Sequence, residues 1–426
     1  MKRILFAVWL LSAVRPCLAD GELTLSVPGT EAPVQLSIPL PKDAGVDAAR
    51  QWQLAEKDSP ENNITVQLVH AMAEDGTVAE SGAWIMASIP PRKDAPAMRQ
   101  FALKAAPQNV EGRPGFEFHE IDDRSLKLVE GTSPVLVYNY GEITDENVPA
   151  KDNRRTRACY VHPVWGLQGE VLTDDFPKDH YHHHGIFWAW PHVGIDDKQY
   201  DLWKYTDIKQ EFVRWICRQT GPAGAVLAVE NGWFIDGKKV MIERCWLRTF
   251  LADDESRSLD FDFVFIPVDK PITLRGAEGK SYGGLNMRFD VKDEKKAVIT
   301  VPWEEKGTGT LSEPVPFSSG GEAKKDLTET PLPWCDLTYP FTSPSTPCGA
   351  ALFVSPGDPD FPQTWMARHY GILSIGWPGI KGKTFPPGEP IRLSYRVWIH
   401  KSAVSLADLE KAYAAYASKD KAEWKN

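Results

Sequence analysis

Short runs in which apolar and polar residues alternate fill almost the whole chain, and that period of two admits little besides β-sheet. Between Glu22 and about Gly141 the runs are ELTLSV, PVQLSIPL, NITVQLVH, SGAWIMASIP, QFALKAA, FEFHEIDD and SLKLVE, punctuated by Pro, Gly and other turn residues. They predict a β-sandwich of about seven antiparallel strands. VLAVENGWFID, KKVMIERCWLRTF, SLDFDFVFIPV, KAVITVPW, AALFVS, GILSIGWPG and PIRLSYRVWIH continue the pattern. In SLDFDFVFIPV, Leu259, Phe261, Phe263, Phe265 and Pro267 share one face and Asp260 and Asp262 the other, as on a long strand of a two-layer sheet. The clear helical signal is SLADLEKAYAAYAS, where Ser405 with Asp408 resembles a capping box and Leu406, Leu409, Tyr413 and Tyr416 form an apolar stripe. The fold class is mainly β with one C-terminal helix.

At 426 residues the chain exceeds a single core, so two domains or one unusually large β domain are expected. A net charge of −10 argues against nucleic acid as a partner, because phosphate binding needs a basic face. Met1-Lys2-Arg3, the apolar stretch Ile4 to Val14 and the small residues around Cys17-Leu18-Ala19 predict an export signal cleaved before Asp20. That places the mature chain in the periplasm or outside the cell. No later run is long enough for a transmembrane segment. Cys159, Cys217, Cys245, Cys335 and Cys348 follow the leader; Cys335 with Cys348 would close a short Pro-rich loop, and buried free thiols are the other reading. The polar stretch ITDENVPAKDNRRTR reads as a loop at the entrance to the site-bearing region.

KDHYHHHGIFWAW places four of ten histidines within five residues, beside Asp179 and ahead of a block of aromatics. Read as extended backbone, it projects His180, His182 and His184 on one side and Tyr181 and His183 on the other. The pair His180 and His182 would then suit a transition metal, although a third ligand is not evident. The other reading is metal-free acid–base chemistry, because imidazole titrates near working pH. Trp188 and Trp190, in a chain with 16 tryptophans, suit stacking against the apolar faces of a sugar ring; core tryptophan is the alternative.

The segment YVHPVWGLQGEVLTDDFPKDHYHHHGIFWAW resembles the hallmark of the PmoA-like family of secreted bacterial proteins, and SYGGLNMRF, FPQTWMARHYGILSIGWPG and PPGEPIRLSYRVWIH resemble its later elements. The likeness spans roughly residues 115 to 418. It implies an N-terminal β-sandwich module over 20–114 and a galactose-mutarotase-like β-supersandwich over 115–426. The membrane oxygenase subunit behind the family's name needs bilayer-spanning helices, which this sequence lacks. Asp179, His180, His182, His183 and Gly185 match the first motif, Tyr282, Gly283, Gly284 and Arg288 the second, and Trp365, Arg368, Tyr370 and Gly371 the third. His184 stands where the family usually carries arginine.

The expectation is an exported enzyme acting on a carbohydrate or modified sugar. His180 and His183 would be acid and base, and Arg288 would hold a carboxylate or polarise a carbonyl. Asp179, His182, His184, Trp188, Trp190, Tyr282, Trp365 and Arg368 would bind substrate. Lyase or epimerase chemistry ranks above hydrolysis, which wants two paired carboxylates. The rivals are a non-catalytic carbohydrate-binding protein and a metal-dependent oxygenase or hydrolase on His180 and His182.

Overall fold

A computed structural model describes residues 23–42, 44–107, 115–302, 321–342 and 346–425. The expected export leader and its cleavage point lie outside them. Two large antiparallel sheets dominate. One has nine strands, ordered Leu327–Pro331, Thr364–Arg368, Ile372–Gly376, Gly284–Arg288, Ile186–Ala189, Tyr160–Val164, Ser133–Asn139, Ser125–Glu130 and Phe116–Glu120. The other has eight, from Lys209–Thr220 through Gly224–Ile235, Lys238–Phe250, Ser256–Pro267, Ile391–His400, Cys348–Val354 and Trp334–Tyr339 to Val298–Thr300. They face each other as a sandwich. Its core interleaves Trp188, Leu285, Met287, Trp365 and Ile375 of the first sheet with Leu247, Leu259, Phe261, Phe263 and Phe265 of the second. Burial of those side chains drives the packing at about 25 cal/mol per Å² of apolar surface.

The far face of the eight-stranded sheet is covered as well. Asp260 takes two hydrogen bonds from Arg396 (2.5 and 2.8 Å), and Arg396 Nη1 donates to Gln35 of the strand Val34–Pro39 (2.7 Å). The polar side of SLDFDFVFIPV is therefore an interface. Trp246, Phe250 and Val226 pack there against Val69 and Met86 of the N-terminal module. Beside them the helix Leu406–Ser418 lays Leu409, Ala412 and Tyr416 on Trp334 and Phe353. Its capping box forms: Asp408 N–H donates to Ser405 Oγ and Ser405 N–H to the Asp408 carboxylate.

The N-terminal module is a small sandwich. Its strand Ser59–Met72 pairs with Trp52–Glu56 over its first half (Trp52↔Val66) and with Val78–Ile89 over its second (Gln67↔Met86), so it passes from one layer to the other. Leu25, Leu36, Leu54, Ile85 and Phe101 fill a second core between the layers. Two particulars differ from the sequence reading. The alternation alone runs FEFHEIDD and SLKLVE together with the module's strands, whereas both join the edge of the nine-stranded sheet, on the far side of the expected boundary at 115. The C-terminal strand Glu423–Lys425 returns to pair with Thr24–Pro28 (Leu25↔Trp424), so the module is completed from the far end of the chain. All five described cysteines are free and buried. In their hairpin Cys335 lies opposite Leu352 and Cys348 opposite Tyr339, so the two thiols are not cross-strand partners and no bridge closes the Pro-rich loop.

Candidate functional site

Three central strands of the nine-stranded sheet assemble the site. Ile186–Ala189 pairs with Gly284–Arg288 (Ile186↔Met287), which pairs with Ile372–Gly376 (Arg288↔Ile372). The histidine segment enters the first strand, Arg288 ends the second, and Tyr370 sits in the turn before the third. Antiparallel pairing brings all three to one end of the sheet. Glycines make the approach possible. A Cβ at Gly185 would lie 2.2 Å from Val161 O, and Gly284 holds φ +141° with its missing Cβ 2.7 Å from Ile375 O.

The histidine segment is not extended. His180 N–H donates to Pro177 O (2.9 Å), His183 N–H to His180 O (2.8 Å), and Phe176 N–H to His183 O (3.1 Å). These turns close the backbone hydrogen bonds locally, and ladder pairing begins only at Ile186. The expected alternation of His180, His182 and His184 against Tyr181 and His183 therefore does not arise. Instead the His180 and His183 rings stack at 4.5 Å and 3°, with Tyr370 parallel to His180 at 5.0 Å. His182 stands edge-on to both.

Asp179 is the hinge of the electrostatics. Its two oxygens accept from Arg288 Nη2 (3.1 and 3.2 Å), and Oδ2 also accepts from His180 Nδ1 (2.8 Å). Burial raises the Asp179 pKa, but the His180 hydrogen bond and the Arg288 charge outweigh it and hold the carboxyl below its ordinary range. A carboxylate on Nδ1 fixes the proton there and leaves Nε2 of His180 with a lone pair. Arg288 is only 4% exposed and lies against the Tyr370 ring at 5.0 Å, with Nε and Nη1 unpartnered among the described residues. Burial lowers the His182 pKa to about 3, helped by His180 and Arg154. Burial, then His182, His180 and Arg288, holds His183 neutral. Burial pushes the Tyr370 hydroxyl up to about 12 against the pull of Arg288.

Residues 125–414 match a family of unknown function, DUF6807. The chain belongs to DUF6807. No curated protein matches it. The DUF6807 region starts at the strand Ser125–Glu130 and ends inside the C-terminal helix. It contains the whole histidine–arginine group and excludes the N-terminal module.

Within this DUF6807 chain several expected contacts fall elsewhere. His184 is buried; its Nδ1 donates to Asp175 (2.7 Å), whose other oxygen accepts from Tyr160 OH (2.8 Å), and its ring packs on Phe176 and Phe187. It braces the loop from beneath. Trp188 and Trp190 point between the sheets, Trp188 against Phe263 (4.7 Å) and Trp190 with Nε1 donating to Trp377 O (2.6 Å). Alternation sends Phe187 to the outer face and both indoles inward. Trp365 is likewise core, donating to Leu332 O (2.7 Å). Arg368 donates to Leu327 O and Thr328 Oγ1 and pins an edge strand. His183 is buried and can support His180 but does not meet solvent. Tyr282 stays half-buried against Trp203 (4.4 Å).

Sequence reasoning assigned no role to two residues. Tyr370 lies in the R-x-Y-G match and was detectable there. Arg154, from the stretch read as an entrance loop, sits 5.4 Å over the Tyr181 ring and pairs with Asp152. Among the described residues no three His, Cys, Asp or Glu side chains converge as a metal shell. His180 and His182 meet at 84° with ring centroids 5.6 Å apart, unlike two imidazoles side by side on a strand.

Proposed function

We propose that this DUF6807 member is an exported carbohydrate-active enzyme in which His180 moves a proton at a carbon next to a carbonyl or carboxyl group of a sugar. The observation that carries the reading is the Asp179–His180 pair anchored on buried Arg288. His180 is 35% exposed, which leaves part of its ring open to an incoming molecule. As the proton leaves carbon for Nε2, the C–H electron pair moves toward the carbonyl, and Asp179 stabilises the imidazolium formed. Elimination follows if the neighbouring C–O bond breaks; Tyr370, kept protonated by burial, gives its proton to the departing oxygen. Epimerisation follows if a proton returns to the opposite face.

Lyase or epimerase chemistry ranks ahead of hydrolysis, because Asp179 is engaged by Arg288 and His180 and is not one of two free carboxyls flanking a bond. Arg288 becomes a positioning residue acting through Asp179. The PmoA-like resemblance and the export signal supply the carbohydrate and compartment parts of the proposal. The non-catalytic alternative loses the two indoles on which it rested, since both lie in the core. The metal alternative needs a third ligand that the described residues do not bring to His180 and His182.

The test is proton exchange in D2O, followed by NMR, with uronate-bearing and keto-sugar glycosides. The expected result is deuterium at one carbon, or an unsaturated product, with wild type and not with His180→Ala. Equal exchange by both proteins, or none by either across the panel, overturns the proposal.

A further inference from the structure

A concavity lies far from the histidines. A cleft of about 1200 Å³ runs along the seam between the N-terminal module and the outer face of the eight-stranded sheet. Trp52, Gln53 and Thr65 line it from the module, and Arg396, Trp398 and the first turns of the helix from the other side. Arg396 and Trp398 project from the strand Ile391–His400 on the face opposite Leu393, Tyr395 and Val397, which belong to the sandwich core. Both sheets therefore stand between this cleft and the histidine loop.

We propose that the cleft binds a neutral oligosaccharide chain. Ligand sites favour module interfaces, and the volume exceeds the 300–1,000 Å³ usual for a small-molecule pocket, so one sugar ring underfills it. Trp52 and Trp398 are half-buried and keep part of each indole open, as stacking on the C–H face of a sugar requires. Gln51, Gln53 and Thr65 line the cleft with no side-chain partner among the described residues. Amides and hydroxyls both donate and accept, which matches sugar hydroxyls.

The charges select against an anionic chain. Arg396 is committed to Asp260 and Gln35, and Lys411 pairs with Glu31 (3.0 Å). Asp254 and Glu255 add negative charge along the rim. Among the described residues that line the cleft, a phosphate- or carboxylate-bearing polymer would meet no unpaired cation. The inference is independent of the acid–base reading, because neither site contributes a residue to the other.

The experiment is calorimetric titration of the full mature chain with neutral gluco-, xylo-, manno- and galacto-oligosaccharides, each as the single sugar and the six-ring chain. At least one six-ring chain binds while its single sugar does not. Trp52→Ala weakens binding about tenfold and Gln53→Ala, a surface change that leaves the cores intact, about fivefold. His180→Ala leaves the affinity unchanged. Backbone amides of residues 51–53 and 63–66 gain hydrogen-exchange protection with ligand. Absence of binding across the panel, affinity unmoved by both Trp52→Ala and Gln53→Ala, or binding lost in His180→Ala overturns the proposal.

Discussion

Replacing Asp179 by asparagine separates chemistry from stability at the candidate site. The carboxylate lies 3.1 and 3.2 Å from Arg288 Nη2 and 2.8 Å from His180 Nδ1. Asparagine keeps the shape and one acceptor, but it removes the charge and can turn an N–H toward His180 or Arg288. Breaking a fully buried ion pair costs about 3–5 kcal/mol and an exposed one about 0–1. Arg288 is 4% exposed and Asp179 46%, so solvent screens one side and the expected cost is about 1–2 kcal/mol. The wild-type advantage is present above the ordinary carboxylate range. It fades as pH falls through the lowered pKa of folded Asp179, because there the unfolded chain takes up the proton first.

The larger effect is on His180. Without a carboxylate the Nδ1 proton is no longer specified, and a misplaced proton removes a general base contributing about 10²–10⁴ in rate. Two assays apply. Long-range 1H–15N spectra read the His180 tautomer without substrate, and the exchange assay reads turnover. Expected are mixed tautomers, a loss of about 100-fold or more in rate, and a melting temperature lower by only a few degrees. A variant with the wild-type tautomer and a rate within about threefold would refute the reasoning that Asp179 acts on His180.

Other perturbations test the frame. Gly185→Ala drives a Cβ to 2.2 Å from Val161 O and 2.8 Å from His162 Cβ, neighbours that cannot swing aside; a loss of about 3 kcal/mol is expected, and a melting curve matching wild type would show the strand pair can shift. Burial raises the Asp358 pKa to about 8 while its carboxyl accepts from Ser394 N–H (2.9 Å). A carboxyl raised on folding contributes stability that is full below its unfolded pKa and lost as pH rises through about 8. Asp358→Asn should therefore gain on wild type between pH 5 and pH 8, and a melting difference constant over that range would refute it. Cys159, Cys217, Cys245, Cys335 and Cys348 should resist a thiol reagent in the native protein and all react after denaturation without reductant; a shortfall on denaturation would reveal a bridge.

Much of the architecture was legible because alternation and capping are local. The period-two runs, the inward face of Leu259 to Phe265 and the Ser405–Asp408 cap need only their own neighbours in sequence. Asp179, His180 and Arg288 were legible as residues of one site, and Tyr370 stood in the third of the matched motifs. What alternation cannot show is what covers each face. It put Asp260 and Asp262 on a polar side, yet Asp260 meets Arg396 beneath a module that begins more than 200 residues earlier. It left Trp188 and Trp190 free to be platform or core, and opposing Phe263 and Trp377 decided for core. The histidine run looked extended because side-chain spacing alone says nothing of backbone hydrogen bonds, and turns closed at Pro177 and His180 overrode it. Roles that depend on a partner distant in sequence, such as Arg288 acting through Asp179 or His184 through Asp175, exist only once the sheet has brought the strand ends together. Sequence thus determined the elements and the identity of the polar group, and tertiary packing decided which of those residues meet solvent.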